Sequence, residues 1–236
     1  MLASHQESAE DQQLGTQTPH LLIGGQTGSG KSIALKTILT AATRLYTAEE
    51  LNLTLVDPKK VELISFADLP HLLNSEISPI IGSSSEETIN YLKKAILIME
   101  DRYSLFQQAR VTNLSEFNLK TSNTLSRHLI VLDEYADIVS NEELRSEVEN
   151  LLEKLSQKAR AAGIHLIITT QKPSAKVLST VIRSNLPAQL ALKVSRVEDS
   201  RVILGDKSGA QKLNGKGDAL FNNGIGSPVR LQVANS

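Results

Sequence analysis

The chain has 236 residues, of which 40% are hydrophobic and 22% are charged, and its formal net charge is −1. This length and composition are typical of one large globular α/β domain or two small ones. A net charge so near zero argues against a protein that binds nucleic acid through its overall positive charge. Any nucleic-acid-binding surface must therefore be a local cluster of basic residues. The absence of cysteine excludes disulfides and thiolate metal sites.

Residues 1–18 are polar and rich in glutamine. They lack the basic and apolar regions of a secretory signal, so we interpret them as a flexible lead-in or the remnant of a preceding domain. Residues 19–236 are expected to form one folded domain. No apolar run in the chain is long enough to span a bilayer. The five histidines show no metal-ligand spacing and are expected to be structural: His5, His20, His71, His128 and His165.

The segment 21–32, LLIGGQTGSGKS, fits the pattern G-x-x-x-x-G-K-[ST] of a phosphate-binding loop (P loop). Its glycines let successive backbone N–H groups point at phosphate oxygens, and a helix starting there adds its positive end. A chance match is disfavoured because 20–24 is a strand candidate and 33–45 is a helix candidate. The residues predicted to bind a nucleotide are Gly25, Gln26, Thr27, Gly28, Ser29, Gly30, Lys31, Ser32 and Ile33.

After this loop, short apolar runs typical of buried strands alternate with segments whose apolar residues recur at helical spacing. Further strands are predicted at 51–56, 129–132, 164–168, 190–194, 219–221 and 229–233. One helix follows a capping-box signal at Ser83–Glu87, and another is predicted over 142–162, capped by Asn141 and ended by Gly163. Segments 69–73 and 205–217 are expected to be irregular. This alternation predicts an α/β fold with a mainly parallel β-sheet between α-helices.

Polar residues that follow the buried strands are the candidates for chemistry. Lys31 can reach the β- and γ-phosphates of ATP, and the Ser32 hydroxyl can ligate Mg²⁺. Asp133 would complete the magnesium site, and Glu134 would polarise the attacking water, although two acids can also simply begin a turn. Gln171, after Thr169 and Thr170, could sense the γ-phosphate or be only a polar strand end.

Arg160 lies near the end of the predicted helix 142–162. An arginine there could stabilise charge on a phosphate bound to a neighbouring subunit, as an arginine finger does. It could equally be a cation that favours the negative end of the helix. The residues leave these two roles open.

Several segments together resemble the motor domain of the FtsK/SpoIIIE family of DNA translocases over roughly residues 19–233. They are PHLLIGGQTGSGKS, TLVDPKKVEL, LPHLL, LIVLDEYADI, LSQKARAAGIHLIITTQKPS and GKGDALF. The resemblance implies a RecA-like fold, ring hexamers with ATP at the subunit interfaces, and double-stranded DNA pumped through a central channel. It also implies a sensor role for Gln171, action in trans for Arg160 and an interface role for Arg201.

The resemblance further places DNA-contacting pore loops near 109–120 and 172–183, which carry Arg110, Lys120, Lys172, Lys176 and Arg183. Such cations would contact phosphates without reading base sequence. The chain shows no counterpart of the family's membrane anchor or winged-helix module. We therefore expect a cytoplasmic motor, placed at the inner face of the membrane in a fuller protein.

Two other functions remain open at this point. The chain could be a related conjugation or secretion ATPase that moves a protein or nucleoprotein cargo. It could also be a nucleotide-binding assembly module, but the intact pair Asp133 and Glu134 disfavours a module that does not hydrolyse ATP.

Overall fold

The computed structural model describes residues 18–206 and 209–234, so nearly all of the predicted lead-in 1–18 lies outside the described residues. One seven-stranded sheet has the order β2-β3-β4-β1-β5-β6-β7. Its strands are β1 (His20–Gly24), β2 (Leu51–Val56), β3 (Arg127–Leu132), β4 (Ile164–Thr170), β5 (Ala188–Leu192), β6 (Asp218–Asn222) and β7 (Val229–Gln232).

The five strands from β2 to β5 in this order are parallel, whereas β6 and β7 are antiparallel to their neighbours. β1 lies in the middle, between β4 and β5. The carboxyl ends of β1, β3 and β4 therefore meet at one edge of the sheet, called here the carboxyl edge. The predicted mainly parallel sheet is confirmed.

The described helices occupy both faces of the sheet. They are α1 (Lys31–Leu45), α2 (Pro70–Leu73), α3 (Ser85–Ala109), α4 (Leu114–Lys120), α5 (Tyr135–Ile138), α6 (Glu142–Lys158), α7 (Thr180–Ser184) and α8 (Val197–Leu204). Short 3₁₀ turns cover Ile64–Phe66 and Ala210–Lys212. Among these described helices, none is both long and apolar enough to cross a membrane.

Side-chain alternation along the strands builds two cores. On β3, Ile130 and Leu132 pack with α3 and α6, while Leu129 and Val131 face α1 on the other side. The two faces of β1 divide in the same way, since Leu22 and Ile23 belong to different cores. Each core buries apolar area from both a sheet face and a helix stripe, which stabilises the three-layer arrangement.

Local capping signals set two of the helix starts. The Ser84 hydroxyl accepts from the backbone N–H of Glu87, and the Glu87 carboxylate accepts from that of Ser84, so the predicted capping box is formed. The Asn141 side chain likewise accepts from Glu143 N at the start of α6. The predicted cap and the predicted strand bounds of β1 and β2 are confirmed.

Several predicted boundaries were wrong. α6 ends at Lys158 rather than 162, because the chain turns through Gly163 at φ +73, where a side chain would meet Leu114. Arg160 therefore lies in the turn before β4 and not on the helix. β5 ends at Leu192 because the Lys193 carbonyl accepts from Gln26 N.

Two segments predicted to be irregular contain short helical turns. Pro70 begins α2 at the first helical position, which proline suits because it has no N–H to leave unpaired. The loop 205–217 contains the 3₁₀ turn Ala210–Lys212, and two of its residues lie outside the described part of the chain.

Candidate functional site

The P loop turns tightly between β1 and α1. Gly28 has φ +76 and Gly30 has φ +105, conformations that side chains rarely adopt. A Cβ on Gly30 would lie 2.7 Å from the backbone nitrogen of Gly217, so no other residue fits there. Gly217 N donates to the Ser29 carbonyl at 2.8 Å, which holds the loop against the start of β6.

An open cleft of about 600 Å³ lies over this loop, within the usual size of ligand pockets. The P-loop residues that line it are Gln26, Thr27, Gly28, Gly30, Lys31, Ser32 and Ile33. The remaining lining residues are Glu62, Gln171, Lys216, Gly217, Gln232 and Val233. Most of the predicted nucleotide-binding residues therefore line one cleft.

Lys31 is the first residue of α1, and its ammonium group points to the end of β3. Its Nζ lies 2.6 Å from Asp133 Oδ1 and 3.0 Å from the Thr169 hydroxyl. The Thr169 hydroxyl also donates to Asp133 Oδ1, which closes a triangle of three side chains. The aspartate charge is thus paired and hydrogen-bonded, as burial requires.

Glu134 follows directly in the left-handed conformation, with φ +47, and is 3% exposed. Its carboxylate accepts from the Thr170 hydroxyl at 3.1 Å and from the backbone N–H of Gln171 at 3.1 and 3.2 Å. A non-glycine residue in this conformation is uncommon and often marks a functional turn. The backbone turn aims the carboxylate at the end of β4, next to the cleft.

The side chain of Gln171 reaches the P loop. Thr27 Oγ1 donates to Gln171 Oε1 at 2.7 Å. Gln171 thus contacts the P loop through its amide and Glu134 through its backbone. The structure brings together Lys31, Asp133, Glu134 and Gln171, which the sequence analysis had selected from three separate segments.

Asp57, at the end of β2, organises the neighbouring loop. Its buried carboxylate accepts five backbone N–H groups of residues 59–63, at 2.8–3.1 Å. This loop places Glu62 in the wall of the cleft, where it also pairs with Lys36 at 3.4 Å. In the sequence, Asp57 is only the residue that follows the predicted strand 51–56, although an aspartate that accepts from following N–H groups is common in turns.

Arg160 lies away from the cleft of its own chain. It precedes β4, at the edge of the sheet opposite the end where Thr169 contacts Lys31. The basic residues of the two predicted pore loops are also separated. Leu114 N bonds the Ala161 carbonyl, so α4 lies beside the Arg160 turn, whereas residues 172–183 follow the carboxyl end of β4. Arg201 lies on α8.

The sequence and the fold of this chain are similar to those of known proteins. The model of the FtsK/SpoIIIE family matches residues 4–132, more than half of the chain. The chain belongs to the FtsK/SpoIIIE family. The matched region includes the P loop and ends at the last residue of β3, immediately before Asp133 and Glu134.

Two curated relatives from Bacillus subtilis strain 168 extend the similarity along the chain. DNA translocase SftA is 41% identical over 220 residues, which cover 91% of this chain and 22% of SftA. DNA translocase SpoIIIE is 40% identical over 227 residues, which cover 92% of this chain and 28% of SpoIIIE. The chain therefore spans between a fifth and a third of the length of these relatives.

A solved structure of the pCW3 conjugation coupling protein TcpA, in its monomer form with ATPγS, superposes with a TM-score of 0.79 at 26% identity. The match covers 93% of this chain and 61% of that one. This similarity agrees with the predicted fold of a P-loop ATPase.

Sequence reasoning missed part of the site. The sequence analysis placed Thr169 and Thr170 at a polar strand end that could sense the γ-phosphate, but it did not predict that Thr169 contacts Lys31 or that Thr170 contacts Glu134. Lys216, Gly217, Gln232 and Val233 were assigned to a loop and a late strand. Lys216 and Gly217 belong to the segment GKGDALF, which carries part of the family resemblance, but nothing in the sequence places them at the P loop. Gln232 and Val233 carry no local signal, since they lie beside Gly217 through the pairing of β6 with β7.

Proposed function

We propose that this chain is the motor of an ATP-driven double-stranded DNA translocase. The observation that carries the proposal is the convergence of Lys31, Asp133, Glu134 and Gln171 at the carboxyl edge, over a cleft formed by a P loop. Relatives that are about 40% identical to this chain are named DNA translocases, which supports DNA as the cargo.

ATP hydrolysis requires a divalent cation, and the side chains here fit one. Ser32, at the start of α1, and Asp133 offer a hydroxyl and a carboxylate oxygen, and Mg²⁺ prefers oxygen ligands of this kind. Two protein oxygens suffice, because magnesium at such sites keeps water and phosphate oxygens as its other ligands. Bound there, Mg²⁺ would neutralise charge that develops on the phosphates.

Each residue of the site would then have a separate role in ATP hydrolysis. Lys31 would hold the β- and γ-phosphates, and the P-loop N–H groups would hold the phosphate chain. Glu134 would orient the attacking water and accept its proton, while Gln171 would contact the γ-phosphate. Positioning and charge neutralisation would supply most of the rate acceleration.

Arg160 would act on a neighbouring subunit. Because it lies at the opposite edge of the sheet from Lys31, it would reach a phosphate only across an interface between two copies. We therefore propose that ATP binds at interfaces of a ring, a hexamer in the active form, in the cytoplasm. In this arrangement Arg160 would stabilise transition-state charge in trans.

DNA would be held by its phosphates. Arg110 and Lys120 near α4, and Lys172, Lys176 and Arg183 after β4, are the proposed contacts. With a net charge of −1, the chain has no overall field that would hold DNA, so these local cations would have to bind it. Phosphate contacts alone would let the motor move along any sequence.

The proposal is tested by steady-state ATP hydrolysis with and without long double-stranded DNA, at fixed salt and in a sample whose oligomeric state has been measured. Salt must be fixed because phosphate contacts weaken steeply as it rises. Strong stimulation by double-stranded but not single-stranded DNA is expected, and Glu134→Gln should abolish turnover. If the rate of ATP hydrolysis by a hexameric sample did not change when DNA was added, DNA would not be the cargo.

A further inference from the structure

The turn that carries Arg160 is fixed by hydrogen bonds along its whole length. It joins α6 to β4 over residues 158–163, called here the Arg160 turn, and every backbone carbonyl in it accepts a hydrogen bond. Gly163 N donates to the Arg160 carbonyl at 3.0 Å. Ile164 N, the first of β4, donates to the Ala159 carbonyl, also at 3.0 Å. A turn bonded so completely has little freedom to move.

The other carbonyls of the Arg160 turn are bonded from neighbouring elements. Leu114 N, at the start of α4, donates to the Ala161 carbonyl at 2.9 Å. His128 N, in β3, donates to the Gly163 carbonyl at the same distance. These two donors are backbone groups, whereas the donors to residues 158 and 162 are side chains of α3.

Two consecutive side chains of α3 hold the backbone on both sides of Arg160. The Tyr103 hydroxyl donates to the carbonyl of Lys158, where α6 ends. Arg102 Nη1 donates to the Ala162 carbonyl at 2.6 Å. Arg160 lies midway between these two carbonyls in the chain, and its side chain is exposed. An exposed cation is thus carried on a backbone that is fixed before and after it.

The burial of Arg102 indicates that its bond to the turn has a purpose other than stability. Arg102 is only 3% exposed, which is rare for an arginine because its charge must be taken out of water. Among the described residues, its Nη2 has no hydrogen-bond partner. Apolar residues in such places are often as stabilising as a buried charge, or more so. What an apolar residue could not do is donate to the Ala162 carbonyl.

We propose that Arg102 and Tyr103 are positioning residues for Arg160, which fix its turn so that its guanidinium reaches a phosphate bound to the neighbouring copy. This inference rests on the proposed function, because it assumes that Arg160 acts in trans. An arginine stabilises transition-state charge only from the right position, and misplacement by about 1 Å can lower a rate about a hundredfold. The Arg160 turn lies at the opposite edge of the sheet from Lys31, so the effect falls on hydrolysis in the neighbouring cleft.

The test is steady-state ATP hydrolysis by the double variant Arg102→Met, Tyr103→Phe, measured alone and in equal mixtures with other variants. Its kcat should fall about tenfold to a hundredfold, and its nucleotide affinity should not change. Mixed with Lys31→Ala, it should regain part of the parent's rate, because some interfaces then combine an intact P loop with an intact Arg160 turn. Mixed with Arg160→Ala, it should regain none, since both variants damage the same side of the interface.

Tyr91→Phe is the matched control. Tyr91 lies in the other half of α3, and its hydroxyl donates to the Ile80 carbonyl at 3.5 Å, away from the Arg160 turn. This variant should hydrolyse ATP at the parent's rate. Tyr103→Phe alone removes one hydroxyl and keeps the aromatic ring, so it tests the proposal even if Arg102→Met fails to fold. Its kcat should fall about threefold to tenfold, the effect of one neutral hydrogen bond.

A parent-like kcat in both Tyr103→Phe and the double variant would overturn the assignment. Rescue of the double variant by Arg160→Ala, or absence of rescue by Lys31→Ala, would overturn it too, because the defect would not be confined to the Arg160 side. Failure of the proposed function gives a different result. If Arg160→Ala alone hydrolyses ATP as the parent does, or if Lys31→Ala does not rescue it, Arg160 does not act in trans and the positioning role falls with it.

Discussion

Lys31 and Asp133 form a buried ion pair of 2.6 Å, with side chains only 3% and 4% exposed. The Thr169 hydroxyl bonds to both partners. The pair joins the start of α1 to the end of β3, two elements that are 102 residues apart in the chain at this contact. One lysine therefore both supports the sheet edge and supplies the cation of the proposed phosphate site.

This double role predicts two effects of Lys31→Ala. Nucleotide affinity should fall at least about tenfold, because hydrogen bonds to charged groups contribute about 1.5–3 kcal/mol. The melting temperature should also fall, because removing one partner of a buried pair leaves Asp133 charged and unpaired, at a cost of up to about 3–5 kcal/mol. Nucleotide titration and thermal unfolding measure the two effects.

The double variant Lys31→Ala, Asp133→Asn separates the effects. It removes the unpaired charge, so stability should recover in part while nucleotide binding stays weak. Lys36→Ala is the matched control, because Lys36 lies on the same helix and forms a partly exposed pair with Glu62 at 3.4 Å. Normal binding by Lys31→Ala would contradict the assigned phosphate contact.

Thr170 is a positioning residue for Glu134. Thr170→Val keeps the shape of this buried side chain but removes the hydroxyl that donates to Glu134 Oε1 at 3.1 Å. We expect kcat to fall about tenfold with little change in KM, since the lost bond orients the carboxylate and does not bind ATP. Steady-state kinetics test this, and Thr170→Ser should restore kcat. A kcat equal to that of the parent in Thr170→Val would show that the backbone N–H of Gln171 orients Glu134 alone.

The placement of Arg160 predicts complementation between two inactive variants. Arg160→Ala and Lys31→Ala should each be inactive alone, because each damages a different side of the proposed interface. Mixed in equal amounts, they should regain part of the parent's hydrolysis rate, since some interfaces combine an intact P loop with an intact arginine. Absence of rescue in a sample that still assembles would argue against action in trans.

Three buried histidines predict acid sensitivity of the fold. Burial lowers the pKa of His20 and of His128 to about 3 and that of His165 to about 4. The unfolded chain, with histidine pKa values near 6.5, then binds protons that the folded chain does not. Stability should therefore fall as the pH drops from about 6.5 towards 4, by up to about 1.4 kcal/mol per pH unit for each histidine.

His128→Leu isolates one of these contributions. Within the described part of the chain, neither ring nitrogen of His128 has a hydrogen-bond partner. After burial, the charge of Arg102 is the second cause of its low pKa. The Glu76 carboxylate lies 4.0 Å from Nε2 of this ring. Urea unfolding between pH 7 and pH 4.5 should show a shallower loss of stability in the variant. An equally steep loss in both chains would mean that His128 gains no proton on unfolding.

The sequence predicted best what depends on local pattern. The bounds of β1 and β2, the capping box of α3 and the cap of α6 were all readable from residues within one or two turns. The predicted ends of β5 and α6 were wrong because tertiary contacts determine where these elements stop. β5 stops early because Lys193 bonds the P loop, and α6 stops early because Gly163 turns the chain beside Leu114.

The residues of the candidate site were likewise predictable only where a local sequence pattern marks them. A P loop and acids after a strand are recognisable because their spacing carries the chemistry. Thr170 could not be distinguished from an ordinary polar strand end, since its role follows from the turn of Glu134, 36 residues earlier. The placement of Gly217 and Gln232 in the lining of the cleft could not be predicted, because it depends on the pairing of β6 with β7 and on the close approach of Gly30.

The most direct test of the central claim is displacement of a third strand from a DNA duplex, measured with ATP, without ATP and with Glu134→Gln. A motor that moves along double-stranded DNA should displace the third strand only with ATP, after a lag that lengthens with its distance from the duplex end. Glu134→Gln should bind the duplex without displacing the strand. ATP hydrolysis stimulated by DNA without any displacement would contradict translocation.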